Sequence, residues 1–212
     1  MKNMPNDSQE QARNVYKKFD DRWCGFEKHN PVSRIVFYAM DRQVLKVLLT
    51  ISRGSILDIG CGIGRSLTKF RRLGFSVVGI DNSPSSIEAC SKKGLKPGKD
   101  VFKMDASAIG FRDSSFDVVF SEGLLEHFEN YDPFVREMVR VSGKYILLIQ
   151  PNYHSLAGKT INLATRIIKK ENPKEIPYRM EDYVESFKKY GCELVLQRSA
   201  FFDAFRVFLF KN

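Results

Sequence analysis

Apolar residues in the first fifty positions recur at the spacing of amphipathic helices. This spacing predicts two helices within residues 1–50, the second running from Ser33 to Leu49. Pro31 precedes the second helix, at a place where proline is tolerated. The apolar positions of the first helix are Ala12, Val15, Tyr16, Phe19 and Trp23, and those of the second are Ile35, Val36, Ala39, Met40, Val47 and Leu48.

After Gly54 the pattern changes to short apolar runs that alternate with helical segments. Runs that are apolar throughout are typical of parallel strands covered by helices on both faces. Ser83 with Pro84, and Asp132 with Pro133, mark the starts of two intervening helices. The five predicted strands are SILDI, SVVGI, DVFKM, FDVVFS and KYILLIQ.

The C-terminal part, residues 179–212, has a different order of elements. A helix with apolar positions from Met180 to Tyr190 ends at Gly191, and two strands, CELVLQRS and FRVFLF, follow it. Only the segment AFFDA separates these strands, whereas a parallel crossover needs about a dozen residues. We therefore expect the last strand to run antiparallel to its neighbour.

A glycine-rich turn, within ILDIGCGIGRSL, links the first strand to its helix. Gly60, Gly62 and Gly64 let the backbone approach a ligand closely and adopt positive φ. Their GxGxG spacing differs from the GxGxxG of dinucleotide sites, and Asp58 would repel a pyrophosphate at short range. The turn therefore favours a ligand that carries an ammonium and a sulfonium.

Two further carboxylates follow the next two strands. Asp81 ends the second strand 21 residues after Gly60, the usual place for a carboxylate that accepts both ribose hydroxyls. Asp105 follows the third strand. Because ligands of open α/β sheets bind at the carboxyl ends of the strands, these acids should meet Asp58 in one crevice. A nucleoside-containing ligand is predicted. The structural alternatives are a helix cap at Asp81 and an Asx-turn at Asp105.

These motifs resemble those of the class I S-adenosylmethionine-dependent methyltransferases, particularly the group acting on small molecules, quinones and lipids. LDIGCGIG looks like the first motif of that family, VVGID like the second, and DAS with FRDSSFDVVFSEGLLEHF like the third and fourth. The resemblance covers Ile56 to Gln150 closely. It implies an α/β, Rossmann-like fold with a seven-stranded, mostly parallel sheet of order 3-2-1-4-5-7-6. Strand 7 would be antiparallel, with helices on both faces and an N-terminal helical lid.

The resemblance also implies S-adenosylmethionine as the cofactor and S-adenosylhomocysteine as its product. The acid before the glycine turn and the turn itself would hold the methionine part, and Asp81 the ribose. Asp105 and the backbone N–H of Ala106 would bind the adenine, while Ser121 and Glu122 would border the methyl group. The implied cofactor-binding residues are Asp58, Gly60, Cys61, Gly62, Gly64, Asp81, Asn82, Asp105, Ala106, Ser121 and Glu122.

Methyl transfer from a sulfonium is an in-line displacement that needs mainly correct placement of the acceptor. A general base is needed only where the acceptor must lose a proton. The candidate catalytic residues are Glu122 and His127 after the fourth strand, and Tyr153 and His154 after the fifth. His127 matches a histidine frequent at that place in the family, and a structural, hydrogen-bonded role is its alternative.

Residues 151–178 form the most distinctive segment and follow the fifth strand beside the predicted site. SLAGKTINLATRIIKK in this segment has the spacing of an amphipathic helix followed by basic residues. It is either a helix packed on the domain or a cap over an apolar or amphipathic acceptor, including one met at a membrane surface. The expected organisation is one domain over 1–212, with helices at 1–50, a cofactor-binding core at 55–150, this segment, and the part at 179–212.

Composition and charge add limits to this interpretation. The net charge is +9, but the basic residues are spread along the polar sides of predicted helices, which favours a solvated surface over a nucleic-acid interface. The four cysteines are scattered without a CxxC pair, so reduced thiols and no structural metal are expected. No apolar run reaches the length of a membrane span and the N-terminus is polar, so we expect a cytoplasmic protein.

The sequence therefore predicts a methyltransferase that acts on a small-molecule or lipid acceptor. An RNA methyltransferase is an alternative suggested by the basic charge. A protein methyltransferase and a non-catalytic subunit that binds S-adenosylmethionine for a partner are two others. The sequence does not define the oligomeric state.

Overall fold

The computed structural model describes residues 31–169 and 175–212. The predicted first helix, around Ala12 to Trp23, lies outside the described residues. The predicted second helix begins at Pro31 rather than Ser33, because the fixed φ of proline suits a first helical turn. The helices in the described ranges are α1 (Pro31–Leu48), α2 (Arg65–Arg72), α3 (Pro84–Lys92), α4 (Asp132–Val141), α5 (Leu156–Lys169) and α6 (Met180–Lys189).

The strands of the described ranges form one seven-stranded sheet with the order β3-β2-β1-β4-β5-β7-β6. β1 pairs in parallel with β2 and β4, and β7 runs antiparallel to both β5 and β6. The predicted fold class, strand order and antiparallel strand are therefore confirmed. The strands are β1 (Ser55–Ile59), β2 (Ser76–Asp81), β3 (Val101–Lys103), β4 (Phe116–Glu122), β5 (Ser142–Pro151), β6 (Glu193–Ala200) and β7 (Phe205–Lys211).

A tight corner joins β6 to β7. Phe201, Phe202 and Asp203 have positive φ values of 46°, 52° and 68°, a region that is unfavourable for residues with a side chain. The carboxylate of Asp203 holds the corner by accepting hydrogen bonds from Ser199 Oγ at 2.8 Å and from Arg206 Nη2 at 2.8 Å. These local bonds stabilise the reversal that the short linker requires.

The core consists of one apolar layer on each face of the sheet. Ile56 and Leu57 are neighbours on β1, are both fully buried, and belong to opposite layers. Val135 of α4 and Phe187 of α6 lie in the layer of Leu57, while Phe70 of α2 lies in the layer of Ile56. Burial on both faces explains why the β1 run is apolar rather than alternating.

The strand order reverses between β1 and β4, because β2 and β3 lie on one side of β1 while β4 and β5 lie on the other. Loops that leave the carboxyl ends of β1 and β4 therefore diverge and open a crevice. None of the helices in the described part of the chain has the length and apolar character needed to cross a bilayer.

Candidate functional site

The turn between β1 and α2 has three glycines in the left-handed region. The φ angles are 74° at Gly60, 50° at Gly62 and 73° at Gly64, and a side chain is unfavourable in this region. The N–H groups of Gly60 and Cys61 both donate to the carbonyl of Ile80, at 2.9 and 3.0 Å. The turn is thus tied to β2 and lies across the carboxyl end of the sheet.

Two of these glycines have very different surroundings. A Cβ atom on Gly64 would lie 2.6 Å from Leu95 Cδ1 and 2.9 Å from Cys90 Sγ, so only glycine fits there. A Cβ atom on Gly62 would meet no atom of the described residues within 4 Å. Among these residues, Gly62 therefore leaves room for a ligand to approach the backbone closely.

Asp81, the last residue of β2, is 8% exposed and lies against the glycine turn. Its Oδ2 accepts the N–H of Gly62 at 2.8 Å, and its Oδ1 accepts the N–H of Ser83 at 2.9 Å. Each carboxylate oxygen has two lone pairs, so an oxygen bonded to a backbone N–H can also accept a ligand hydroxyl. The N-cap of α3 is Ser83, whose Oγ accepts the N–H of Ser86, and not Asp81.

Asp58 is 2% exposed at the crevice end of β1. Burial, together with repulsion from Glu122 and Asp81, raises the pKa of the Asp58 carboxyl well above its usual range, although Arg65 acts in the opposite direction. A positive ligand charge beside Asp58 would favour its ionised form. This charge environment fits the ammonium-bearing end of S-adenosylmethionine.

An ion-pair network links α1, α2 and β4 at the edge of the crevice. Arg65, the first residue of α2, contacts both carboxylate oxygens of Glu122 and lies 2.6 Å from Asp41 of α1. Lys69 contacts the second oxygen of Asp41. Glu122 is at the predicted place, but its pairing with Arg65 would have to break before it could accept a proton from a substrate.

Asp105 follows β3 and forms an Asx-turn with Ser107. Its Oδ1 accepts both the N–H and the Oγ–H of Ser107, each at 2.8 Å. The Asx-turn that is the structural alternative for Asp105 is therefore present in the fold. This turn fixes the Asp105 carboxylate beside the buried Ala106. Asn82, the residue after β2, is half-buried.

Ser121 and Cys61 turn their side chains into the protein. The hydroxyl of Ser121 is fully buried and donates to the carbonyl of Ile59 at 3.0 Å, so it joins β4 to β1. The thiol of Cys61 is buried beneath the turn, where a hydrogen bond with the Cys90 thiol is the main cause of its raised pKa. These two residues present backbone rather than side-chain groups to the crevice.

A 3₁₀ turn, Leu125–His127, follows β4 and contains the buried Glu126 and the half-buried His127. Burial lowers the pKa of His127 to about 4, so its ring is neutral at neutral pH. Burial also raises the pKa of Glu126 to about 8. The Nε2 atom of His127 lies 3.9 Å from Glu126 Oε1.

Residues 175–178, here called the strap, cross over this turn. The N–H of Ile176 donates to the carbonyl of Glu126 at 2.8 Å. The hydroxyl of Tyr178 lies 2.9 Å from the carbonyl of Phe128. The strap is therefore fixed to the segment that follows β4.

The two candidates that follow β5 contact the strap. The Tyr153 hydroxyl donates to Glu175 Oε2 at 2.6 Å, and burial is the largest cause of the raised pKa of Tyr153. The Nε2 atom of His154 lies 2.8 Å from the carbonyl of Pro177. Tyr153 and His154 thus hold the strap from the β5 side, and the fold brings Tyr153, Glu126 and His127 together at one end of the sheet.

Sequence reasoning missed Arg65 and Glu126 as members of the site. Arg65 directly follows Gly64 in the sequence, and this position could have predicted a positive charge at the start of α2, beside the site. Glu126 stands between Leu125 and His127 in LLEHF, and a lone acid in an apolar run is a signal of burial.

No group of three or more His, Cys, Asp or Glu side chains in the described ranges is arranged to hold a metal ion.

The sheet order, the glycine turn after β1 and the acid after β2 define a Rossmann-like α/β domain. A family of methyltransferase domains matches residues 57–147. Ajmaline N-methyltransferase of Rauvolfia serpentina is 31% identical over 110 residues, which cover 49% of this chain and 38% of that protein. The 2-methyl-6-phytyl-1,4-hydroquinone methyltransferase of Synechocystis is 37% identical over 91 residues, which cover 41% of this chain and 28% of that protein. The matches thus span less than half of each of these relatives.

The fold is also similar to that of solved methyltransferases. Magnesium protoporphyrin IX methyltransferase of Synechocystis, crystallised with S-adenosylhomocysteine, superposes with a TM-score of 0.71 over 95% of this chain and 99% of that chain, at 16% identity. Over residues 57–147 the chain is therefore similar to methyltransferase domains, and its described fold is that of the class I S-adenosylmethionine-dependent methyltransferase family. The cofactor of this family is S-adenosylmethionine.

Proposed function

We propose that the protein transfers a methyl group from S-adenosylmethionine to a small-molecule or lipid-like acceptor by in-line displacement. The observation that carries this proposal is the position of Asp81 against the glycine turn, 2.8 Å from the N–H of Gly62. The Asp81 carboxylate, which can accept hydrogen bonds from ribose hydroxyls, then lies beside Gly62, where a ligand can approach the backbone. Both lie where the strand order reverses.

The proposed cofactor site extends along the carboxyl ends of four adjacent strands. Asp58 and the glycine turn hold the methionine end, because a buried carboxylate attracts its ammonium group. Asp81 accepts the ribose hydroxyls, and Asp105 accepts from the adenine amino group. The remaining proposed contacts are the backbones of Cys61, Asn82 and Ala106 and the β4 end at Ser121 and Glu122.

Bound S-adenosylmethionine supplies a methyl group already activated by the sulfonium. The residues of this chain then have to hold the acceptor in line with that methyl group and exclude water. Arg65 keeps Glu122 at the edge of the crevice, and the strap covers the turn after β4. His127 stays neutral in this arrangement because burial lowers its pKa to about 4.

Two features support a small or lipid-like acceptor. The names of the relatives describe methylation of ajmaline and of 2-methyl-6-phytyl-1,4-hydroquinone. The crevice end of the sheet brings together the carboxyl groups of Asp58, Asp81 and Glu122 with one arginine, Arg65, and this excess of carboxyl groups does not favour the phosphates of RNA. The proposal places the reaction in the cytoplasm, a reducing compartment that fits the free thiols of Cys61 and Cys90.

Replacement of Asp81 tests this function directly. We expect Asp81→Ala to weaken binding of S-adenosylhomocysteine at least about 100-fold in calorimetric titration, because two hydrogen bonds to a charged acceptor are lost. Asp81→Asn keeps a polar group near Ser83 and Gly62 but removes the charged acceptor, so its affinity for S-adenosylhomocysteine should fall similarly.

Asp113→Ala is the matched control, since Asp113 is a largely exposed surface acid paired with Arg140. Its affinity for S-adenosylhomocysteine should equal that of the unchanged protein. Thermal unfolding of each variant reports whether it is folded. Undiminished affinity in a folded Asp81 variant would refute the proposed cofactor site.

A further inference from the structure

A buried carboxyl group with an unpaired oxygen lies in the turn after β4. Glu126 is 4% exposed, and its Oε2 has no hydrogen-bond partner among the described residues. Its Oε1 lies 3.2 Å from the position that a Cβ atom on Gly123 would take, so the carboxyl group faces the backbone that leaves β4. A buried polar atom without a partner is unfavourable, and a ligand donor placed beside it would satisfy it.

Other acids surround this carboxyl group. Glu175 of the strap and Glu122 of β4 both add to the raised pKa of Glu126, after burial, which is the largest cause. Mutual repulsion between carboxylates is relieved when a cation enters between them. Among the described residues, the titratable groups that interact with Glu126 are Glu122 on β4, His127 on its own turn, Tyr153 after β5, Glu175 on the strap and Tyr183 on α6.

The nature of the cation follows from these neighbours. His127 is neutral, and the guanidinium of Arg65 is already paired with Glu122 and Asp41. The described residues contain no group of three or more side chains suited to a metal ion, so an organic cation fits better. An ammonium group has three N–H donors, enough to reach more than one carboxylate oxygen.

The position is also suited to an acceptor substrate. Glu126 follows the carboxyl end of β4, and Tyr153 follows that of β5, on the side of the crevice away from β2 and β3. Tyr153 bonds to Glu175 through its hydroxyl, and its ring is half-buried. Aromatic rings beside carboxylates are favourable surroundings for an ammonium group.

We propose that Glu126, with Glu175 and Tyr153, binds the ammonium group of a small amine acceptor beneath the strap. This proposal rests on the proposed methyltransferase function and specifies its substrate class. The acceptor then sits beside the turn after β4, with its ammonium group on the unpaired Oε2 of Glu126.

Calorimetric titration of the full chain, saturated with S-adenosylhomocysteine, tests this site. The probes are 2-phenylethylamine, which is an ammonium ion at neutral pH, and 2-phenylethanol, which has the same ring and chain length without the charge. We expect the amine to bind at least about tenfold more tightly than the alcohol, and Glu126→Gln to remove about that factor for the amine alone. Affinity for S-adenosylhomocysteine should not change in this variant.

Proton release gives a second readout that a structural role would not produce. An ammonium group beside Glu126 lowers the pKa of that carboxyl, so amine binding at neutral pH should release a proton. Titrations in phosphate and in Tris, which differ in ionisation enthalpy, measure this release. We expect it in the unchanged protein and not in Glu126→Gln.

Glu185→Gln is the matched control, because Glu185 is an exposed acid on α6 and its loss changes the net charge by the same amount. It should behave as the unchanged protein with both probes. Equal binding of amine and alcohol, or full amine affinity in Glu126→Gln, would overturn the amine site. Failure of the unchanged protein to bind S-adenosylhomocysteine would instead contradict the proposed function.

Discussion

At the scale of single residues, the site is organised by how charges are paired. Arg65 lies between Glu122 and Asp41, and its side chain is only 15% exposed. Removal of Arg65 would leave Glu122 beside Asp58 without a counter-charge, which is unfavourable for partly buried acids. The pairing explains how several acids can lie close together at one end of the sheet.

Glu126 makes the stability of the protein depend on pH. Burial raises its pKa from an ordinary value of 4.5 to about 8, so the folded state binds a proton that the unfolded state releases over this interval. The contribution of Glu126 to stability is complete below an approximate pH of 4.5 and is lost as pH rises through 8. As pH rises through this range, we expect the free energy of unfolding of the unchanged protein to fall relative to that of Glu126→Gln. The fall should be at most about 1.4 kcal/mol per pH unit.

Urea denaturation at several pH values between 5 and 8 measures this difference. His127 has the opposite sign, because its lowered pKa of about 4 gives a contribution that is complete above 6.5 and lost as pH falls. The contribution of His127 is present in both the unchanged protein and Glu126→Gln, so it cancels in the difference between their free energies of unfolding. A difference between the two proteins that does not vary with pH would show that Glu126 is ionised in the folded state.

At the scale of elements, the strap is held mainly by polar contacts. The Tyr178 hydroxyl lies 2.9 Å from the carbonyl of Phe128 and 3.0 Å from that of Glu129, while its ring packs edge-on against Tyr131 at 4.8 Å. Tyr178→Phe keeps the ring contact and removes the hydroxyl. We expect a loss of about 1 kcal/mol in the free energy of unfolding. Amide exchange at Ile176 should become faster, while exchange in β1 and β4 stays unchanged.

Tyr38→Phe is the control for this variant, because Tyr38 is 69% exposed on α1. Hydrogen exchange followed by mass spectrometry gives the local rates in both variants. Unchanged exchange at Ile176 in Tyr178→Phe would mean that the Tyr178 hydroxyl does not fix the strap.

Elements defined by short-range patterns could be predicted from the sequence. SILDI matches β1, Ser55–Ile59, in full, because its run of buried residues is continuous after Ser55. Ser83 caps α3 as its position before Pro84 indicated. β5 is longer than predicted and runs from Ser142 to Pro151, since pairing with β7 extends to Pro151.

Contacts between distant segments could not be predicted. The ion pair of Arg65 with Glu122 joins residues 57 positions apart, and no local spacing encodes it. Burial of Glu126 beneath the strap depends on a segment some fifty residues further along the chain. The roles of Tyr153 and His154 in holding the strap have the same origin, because their partners become neighbours only when the chain folds.

At the scale of the whole molecule, ion pairs between different elements offset part of the basic charge of the described surface. Several basic side chains pair with acids of other elements, such as Lys144 with Asp117 at 2.6 Å and Lys189 with Asp132 at 2.7 Å. Such exposed pairs add little stability, but they reduce the potential of a basic surface. Such pairs offset part of the basic charge of the described surface, while the crevice end of the sheet carries the acids Asp58, Asp81 and Glu122.

The fold brings the proposed cofactor and acceptor sites to the same end of one sheet. Asp58 and Asp81 come from β1 and β2 on one side of the reversal in strand order, and Glu126 follows β4 on the other. A cofactor held by the first two strands would thus present its methyl group toward the turn after β4. This geometry follows from the strand order and needs no movement of the sheet.

A crystal structure of the full chain with S-adenosylhomocysteine is the most direct test of the central claim, that the cofactor lies against the glycine turn. We expect both ribose hydroxyls within hydrogen-bond distance of the Asp81 carboxylate, and the methionine end beside Asp58 and Gly62. S-adenosylhomocysteine bound at another place, or with its ribose away from Asp81, would contradict the proposed site.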